Sequence, residues 1–198
     1  MRAQVPVDTR AAACLVAALI VLLAIPASAS GMAAAWTARR EFAPRFTPFV
    51  ATPYSVVEKM LRLAGVGPDD TVYDLGSGDG RIVIAAAKDF GARAVGVEIR
   101  SELWKRSSEE IARLGLQKRA RIIHDDMFRV NVKAATVVTL YQLTAVNDRL
   151  RPLLEKGLRS GARVVSVDFE IPDWTPAKTL RVKAENGDEY KLYLYVRP

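Results

Sequence analysis

The chain has one cysteine and one histidine among its 198 residues. Cys14 alone cannot build a disulfide framework, and its place near the start of an apolar stretch does not suit a lipid attachment site. His124 has no cysteine nearby, so a zinc site lacks ligands and no metal is expected. Internal repeats and low-complexity tracts are missing from the globular part, whose length suits one domain with a full-sized core. Basic residues outnumber acidic ones, 29 to 22, for a net charge of +7. No aromatic-interleaved basic patch accompanies that excess, so it reads as solvated surface and nucleic acid is disfavoured as a partner.

What is present is concentrated in Val72-Tyr73-Asp74-Leu75-Gly76-Ser77-Gly78-Asp79-Gly80-Arg81. A short β-branched and aromatic run, Thr71-Val72-Tyr73, leads into three glycines at alternate positions, and Ile82-Val83-Ile84-Ala85-Ala86-Ala87 behind them has helical character. Such a turn lets the backbone approach a ligand without Cβ interference while the helix N–H groups face an anionic group. An ordinary strand-to-helix turn would need only one glycine. A dinucleotide fingerprint would place its third glycine at position 81, where this chain has Arg81, so an NAD-dependent oxidoreductase is disfavoured.

Carboxylates recur where the following strands end. Ala92 to Val97 reads as the next parallel strand and closes on Glu98, placed for a bidentate grip on two ribose hydroxyls or else a solvated strand-end charge. Ile99 behind it offers an apolar surface for a flat ring. A helix from Ser101, a candidate N-cap, to Leu114 stops at Gly115, and Arg121-Ile122-Ile123 then runs into His124-Asp125-Asp126-Met127-Phe128. Asp125 reads as a turn-former and His124 as a loop residue. Ala135 to Tyr141 forms a fourth strand, a helical stretch from Asn147 to Leu158 is broken or restarted at Pro152, and Ala162 to Phe169 forms a fifth. Thr179 to Ala184 and Tyr190 to Val196, joined through Asn186-Gly187-Asp188, carry a hairpin signal. The expected architecture is α/β, Rossmann-like, with a mostly parallel sheet ending in an antiparallel hairpin. Before it, Thr52-Pro53 opens a helix with Val56, Val57, Met60 and Leu61 on its apolar side, either docked beside the ligand mouth or purely packing.

Residues 11–27 form an almost uninterrupted apolar stretch followed by Ala27-Ser28-Ala29, a cleavage-like pattern. Two readings compete. In one, residues 1–29 are a cleaved signal peptide and the domain is exported. In the other they anchor the chain in a membrane, with the domain kept cytoplasmic by Arg39, Arg40, Arg45 and Lys59 against Arg2 and Arg10. The expected organisation is leader 1–29, linker 30–51 and catalytic domain 52–198.

The glycine block resembles the first motif of class I S-adenosylmethionine (SAM)-dependent methyltransferases. The resemblance implies SAM as cofactor, its methionine part received by Gly76, Ser77, Gly78 and Gly80, its amino group near Asp74 and its ribose on Glu98 with Ile99 alongside. It also implies adenine recognition by Asp126 and Met127. From about Phe46 to Pro198 the chain resembles one subgroup, the membrane-associated protein-lysine methyltransferases of the ATP synthase c-subunit and adenine nucleotide translocase type. The matching pieces are Phe49-Val50-Ala51-Thr52-Pro53 with Val56-Val57, Tyr73 to Ile84, Ala135 to Tyr141, Leu150-Arg151-Pro152 and Gly161 to Ser166. A protein lysine is then the implied acceptor, with membrane association through residues 11–27 and the oligomeric state open. Tyr141, Gln142 and Asp168, at the carboxyl ends of central strands, are the candidate catalytic residues. Where relatives show Tyr-Leu-Leu-Pro followed shortly by Asn, this chain has Tyr141-Gln142-Leu143-Thr144 and then Asn147, so the competing expectations are a SAM-dependent enzyme acting on RNA or a small molecule, and a non-catalytic SAM-binding module.

Overall fold

Seven strands form one sheet in the order β3-β2-β1-β4-β5-β7-β6. The computed structural model describes residues 49–198. The expected leader over 1–29, with its apolar stretch, and nearly all of the expected linker lie outside the described residues. Within them run α1 (Tyr54–Leu63), β1 (Thr71–Leu75), α2 (Arg81–Lys88), β2 (Arg93–Glu98), α3 (Ser101–Arg113) and β3 (Ala120–His124). After these come β4 (Val137–Leu140), α4 (Thr144–Gly157), β5 (Arg163–Val167), β6 (Lys178–Lys183) and β7 (Glu189–Val196). Strands β1 to β5 pair in parallel, while β7 runs antiparallel to both β5 and β6.

The chain winds outward through β1, β2 and β3, then returns to lay β4 on the other side of β1. That reversal opens a crevice beyond the carboxyl ends of β1 and β4, where ligands of open α/β sheets bind. The central strands are buried on both faces, as their near-continuous Val and Leu runs require. Val72 joins a core with Val56, Val57, Met60 and Leu61 of α1 and Ile82 and Val83 of α2. Its neighbour Tyr73 faces the opposite core, with Leu150 and Leu154 of α4 and Tyr193 and Tyr195 of β7. Met60 and Leu61 are fully buried, and burial of each such side chain is worth about 1.5–3 kcal/mol.

Three local expectations are revised. Ser101 is the first residue of α3 rather than its cap; Arg100 precedes the helix in extended conformation, and the Ser101 hydroxyl lies 3.2 Å from His124 Nε2. Helix α4 runs unbroken through Pro152, because the proline sits on the solvent side between the buried anchors Leu150 and Leu154. It also begins earlier than expected, at Thr144. Among the described residues, no helix is long and apolar enough to cross a membrane.

Candidate active site

All three glycines of the turn after β1 adopt positive φ, 88° at Gly76, 55° at Gly78 and 78° at Gly80, a region that side-chain-bearing residues rarely enter. The turn is stitched to β2. Gly76 N and Ser77 N both donate to the Val97 carbonyl at 2.9 Å. Gly78 N donates to Glu98 Oε2 at 2.8 Å, and Arg100 N donates to Glu98 Oε1 at 2.8 Å. Glu98 is buried, with both carboxylate oxygens fixed by backbone donors, and each oxygen keeps lone-pair capacity for a further hydroxyl. The sequence interval between the turn and this carboxylate closes into a single hydrogen-bonded unit, which suits a vicinal diol.

A glycine that local spacing does not single out makes this stitching possible. A Cβ on Gly96 of β2 would lie 2.6 Å from Ser77 Oγ and 2.5 Å from an Ile122 methyl. Only a bare backbone lets the turn settle onto the strand.

Asp74, next to last in β1, is buried, 3% exposed, with Oδ1 accepting a hydrogen bond of 2.8 Å from Thr139 Oγ1. Burial, joined by the like charges of Asp79 and Glu98 and opposed by the Thr139 bond, pushes its pKa up to about 7. Its second oxygen could receive a cationic amino group. Ile99, the residue after β2, is exposed and apolar. Asp126 accepts from Phe128 N at 3.0 Å through Oδ1, and the Met127 sulfur lies 3.8 Å from where a Gly76 Cβ would sit. His124, expected as a loop residue, instead ends β3 and stacks on Trp104 with ring centroids 4.9 Å apart. Its Nε2 lies 3.0 Å from the Ile99 carbonyl, so the ring buttresses the segment that carries Ile99.

The segment before α1 also belongs here. Phe49 lies over the turn; a Cβ on Gly78 would fall 2.3 Å from its ring. Arg81, the residue that replaces the dinucleotide glycine, pairs with Asp79 and donates from Nη1 to the Thr52 carbonyl at 2.8 Å. Its guanidinium sits 4.9 Å above the Tyr54 ring. Glu185 of the β6–β7 turn accepts from Tyr54 N at 2.9 Å and so caps α1. Helix α1 is thus a packing helix whose lead-in, rather than its body, lies against the glycine turn.

At the end of β4 the expected catalytic residues separate into two settings. Gln142 is buried and turned inward, its Nε2 donating to the Leu75 carbonyl at 3.1 Å and covering the face of Gly76. Tyr141 is half-buried and donates through its hydroxyl to Asp168 Oδ2 at 3.2 Å. Burial first and the adjacent Asp168 second push the Tyr141 pKa up to about 12, so at neutral pH its hydroxyl is a donor rather than a base. Phe169 stands 6.3 Å from the Tyr141 ring, completing an aromatic wall. Asp168 itself has φ of +59°. Its N–H donates to the Lys191 carbonyl at 2.7 Å, and its Oδ1 accepts from Lys191 N at 2.8 Å.

The residues present fit SAM: an acid for an ammonium, an acid for a diol, an apolar platform for a purine and a glycine-lined turn between them. Among the described residues, no cluster of His, Cys, Asp and Glu is placed to hold a metal ion.

Comparison with known proteins points the same way. Residues 74–178 match the family model of the ANTKMT methyltransferase domain. A protein-lysine N-methyltransferase of Saccharolobus islandicus (strain REY15A) is 49% identical over 150 residues, 75% of this chain and 92% of that protein. The ATP synthase c-subunit lysine N-methyltransferase of Mus musculus is 37% identical over 134 residues, 67% of this chain. The chain spans about half that relative's length, 53%. Among solved structures, an RNA methyltransferase from Salinibacter ruber in complex with S-adenosyl-L-homocysteine aligns with a TM-score of 0.71 at 42% identity, covering 75% of this chain and 94% of that one. A geranyl diphosphate methyltransferase in complex with SAM, at 15% identity and a TM-score of 0.61, shares the fold.

Proposed function

This chain belongs to the protein-lysine N-methyltransferase family marked by the ANTKMT methyltransferase domain, and we propose that it methylates a lysine side chain of a membrane or membrane-proximal protein. The observation that carries the reading is the Tyr141–Asp168 pair beside the glycine turn, an acceptor site with an aromatic wall and a carboxylate.

The cofactor is SAM, which supplies when bound a methyl group on a sulfonium whose displacement needs no acid. The chain's own residues have two tasks. Glu98 and the glycine turn would hold the nucleoside end and Asp74 the amino-acid end. Holding reactants in near-attack geometry supplies about 7–11 kcal/mol of barrier reduction in well-oriented systems. The acceptor must arrive neutral, since a lysine ammonium, with pKa about 10.4 in water, has no lone pair to give. Asp168 Oδ2, which accepts from the Tyr141 hydroxyl, would also take the proton released by the incoming amine. Tyr141 holds that carboxylate in place, and its ring with Phe169 strips water from the lysine stem and favours the neutral amine. Gln142 fixes the end of β4 against Leu75 and thereby keeps the two halves of the site in register.

Membrane attachment is inferred from the sequence. The apolar segment 11–27 would anchor the chain with its catalytic domain on the cytoplasmic side, where SAM is available. Fractionation with intact-mass analysis tests it: full-length protein in the membrane fraction supports the anchor, and a mature chain in the exported fraction overturns it.

The name of the Salinibacter ruber protein keeps RNA as the second reading. Radiolabelled SAM offered with total membrane protein in one tube and total RNA in another separates the two. Label recovered as methyl-lysine supports the proposal; label recovered in RNA overturns it.

A further inference from the structure

Asn147 is 0% exposed, the one polar residue of α4 that is buried, and it is not within reach of any reacting group. Its Nδ2 lies 3.2 Å from Ser166 Oγ, 3.1 Å from the Phe169 carbonyl and 3.2 Å from the Glu170 carbonyl. Ser166 Oγ in turn donates to the Phe169 carbonyl. Two carbonyl acceptors fix the orientation of the amide, since the reversed one would set oxygen against oxygen. Among the described residues, the other end of the amide, Oδ1, has no hydrogen-bond partner. A leucine at this position would avoid that desolvation cost, so the amide must serve what its nitrogen reaches.

What it reaches is the turn carrying Asp168. The residues it grips, 166, 169 and 170, bracket position 168, whose φ of +59° is a conformation that non-glycine residues leave unless their surroundings over-determine it. Three ties supply that determination. Asp168 N and Oδ1 are both bound to the Lys191 backbone. Phe169 N donates to the Val167 carbonyl at 2.7 Å. The Asn147–Ser166 pair clamps the outgoing carbonyls. With Oδ1 of Asp168 committed to Lys191 N, only Oδ2 faces Tyr141. Release of the Phe169 and Glu170 carbonyls would let φ at 168 return to negative values and swing that oxygen away from Tyr141.

We propose that Asn147, assisted by Ser166, is a positioning residue for the acceptor site, holding Asp168 in the backbone conformation that presents Oδ2 to Tyr141 and to the incoming amine. The proposal rests on the acceptor-site reading above. It makes Asn147, whose amide nitrogen reaches the Ser166–Glu170 turn and none of the residues assigned to the cofactor, a determinant of turnover rather than of cofactor affinity.

A double-mutant cycle on the full-length protein tests it, with initial rates of label transfer from SAM to total membrane protein and calorimetric affinity for S-adenosyl-L-homocysteine as the two readouts. Asn147→Ala should lower the rate about tenfold while leaving affinity within about twofold. In the Asp168→Ala background the same substitution should cost less than about twofold, because the residue it acts through is gone. Equal losses in both backgrounds, or a loss of affinity matching the loss of rate, overturn the proposal. Should Asn147→Ala fail to fold, Ser166→Ala run through the same cycle decides on the same criteria. A different result marks failure of the underlying reading: Asp168→Ala alone at wild-type rate removes the acceptor site itself.

Discussion

The backbone N–H of Gly78 and the carboxylate of Glu98 meet at 2.8 Å, joining the turn after β1 to the end of β2 before any ligand is considered. The carboxylate is therefore held in place by the loop it works beside, and the loop is held in shape by the carboxylate. Replacement of Glu98 by Ala should weaken SAM and S-adenosyl-L-homocysteine equally, since both carry the same ribose. It should also lower stability by about 1–3 kcal/mol, because the Gly78 and Arg100 donors lose their partner. Calorimetry with both ligands, alongside thermal unfolding, reads the two effects; an affinity loss confined to one ligand contradicts the ribose assignment.

Gly78→Val places a β-branched residue at φ of +55° with its Cβ against the Phe49 ring. Cofactor binding should be abolished while the domain remains folded, its strand core being untouched. Circular dichroism and ligand titration check this, and an unchanged affinity removes the turn from the site.

Asp74 gives the enzyme a pH signature. Its folded-state pKa, about 7, lies above its ordinary value of 3.8, so it favours the folded ligand-free protein at acid pH and withdraws that contribution as pH rises through about 7. A cationic amino group beside it favours the ionised form, so SAM affinity should rise between pH 6 and pH 8 with release of up to about one proton. Calorimetry in buffers of differing ionisation enthalpy counts that proton. The analogue 5′-methylthioadenosine, which lacks the amino group, should show no such rise, and an equal rise for both would place the amino group elsewhere.

Tyr141→Phe should reduce turnover about tenfold to a hundredfold while leaving S-adenosyl-L-homocysteine affinity unchanged, because the hydroxyl donates to Asp168 and, among the described residues, to no cofactor-side group. Asp168→Asn should be the more severe change, since an amide cannot accept the lysine proton. Rates against pH with membrane protein as acceptor test the pair; wild-type turnover in both variants sinks the acceptor-site reading.

Gln142→Ala should lower affinity and turnover together, since Gln142 braces Gly76 and the Leu75 carbonyl. Indifference to this substitution, with binding but no turnover in the wild-type protein, would favour a non-catalytic SAM-binding module.

The parts of this site that are legible from sequence are those written in local spacing. Three alternate glycines, a carboxylate at the next strand end and a hairpin after the fifth strand each follow from a few adjacent residues and their backbone demands. What stays hidden depends on pairs far apart in the chain. Thr139 bonds Asp74 between adjacent strands 65 residues apart in sequence, Glu185 caps a helix 131 residues earlier, and Asn147 reaches the turn after β5. Gly96 carries a weaker signal, a glycine inside a strand run, which marks close approach of another backbone. Position alone marks Gln142 as a pocket residue; its inward rotamer, donating to the Leu75 carbonyl, is invisible without the sheet order. Ser101 misleads because a good capping residue can equally open a helix when its hydroxyl finds a tertiary partner such as His124.

Methyl transfer to a lysine, from a cofactor whose sugar is gripped by Glu98, is the claim on which the other assignments depend. Mass spectrometry of total membrane protein incubated with SAM and either the wild-type enzyme or Glu98→Ala tests this most directly. New methyl-lysine in the wild-type sample alone is the expected result. Methylation surviving undiminished in Glu98→Ala, or appearing only on RNA or small molecules, would contradict it.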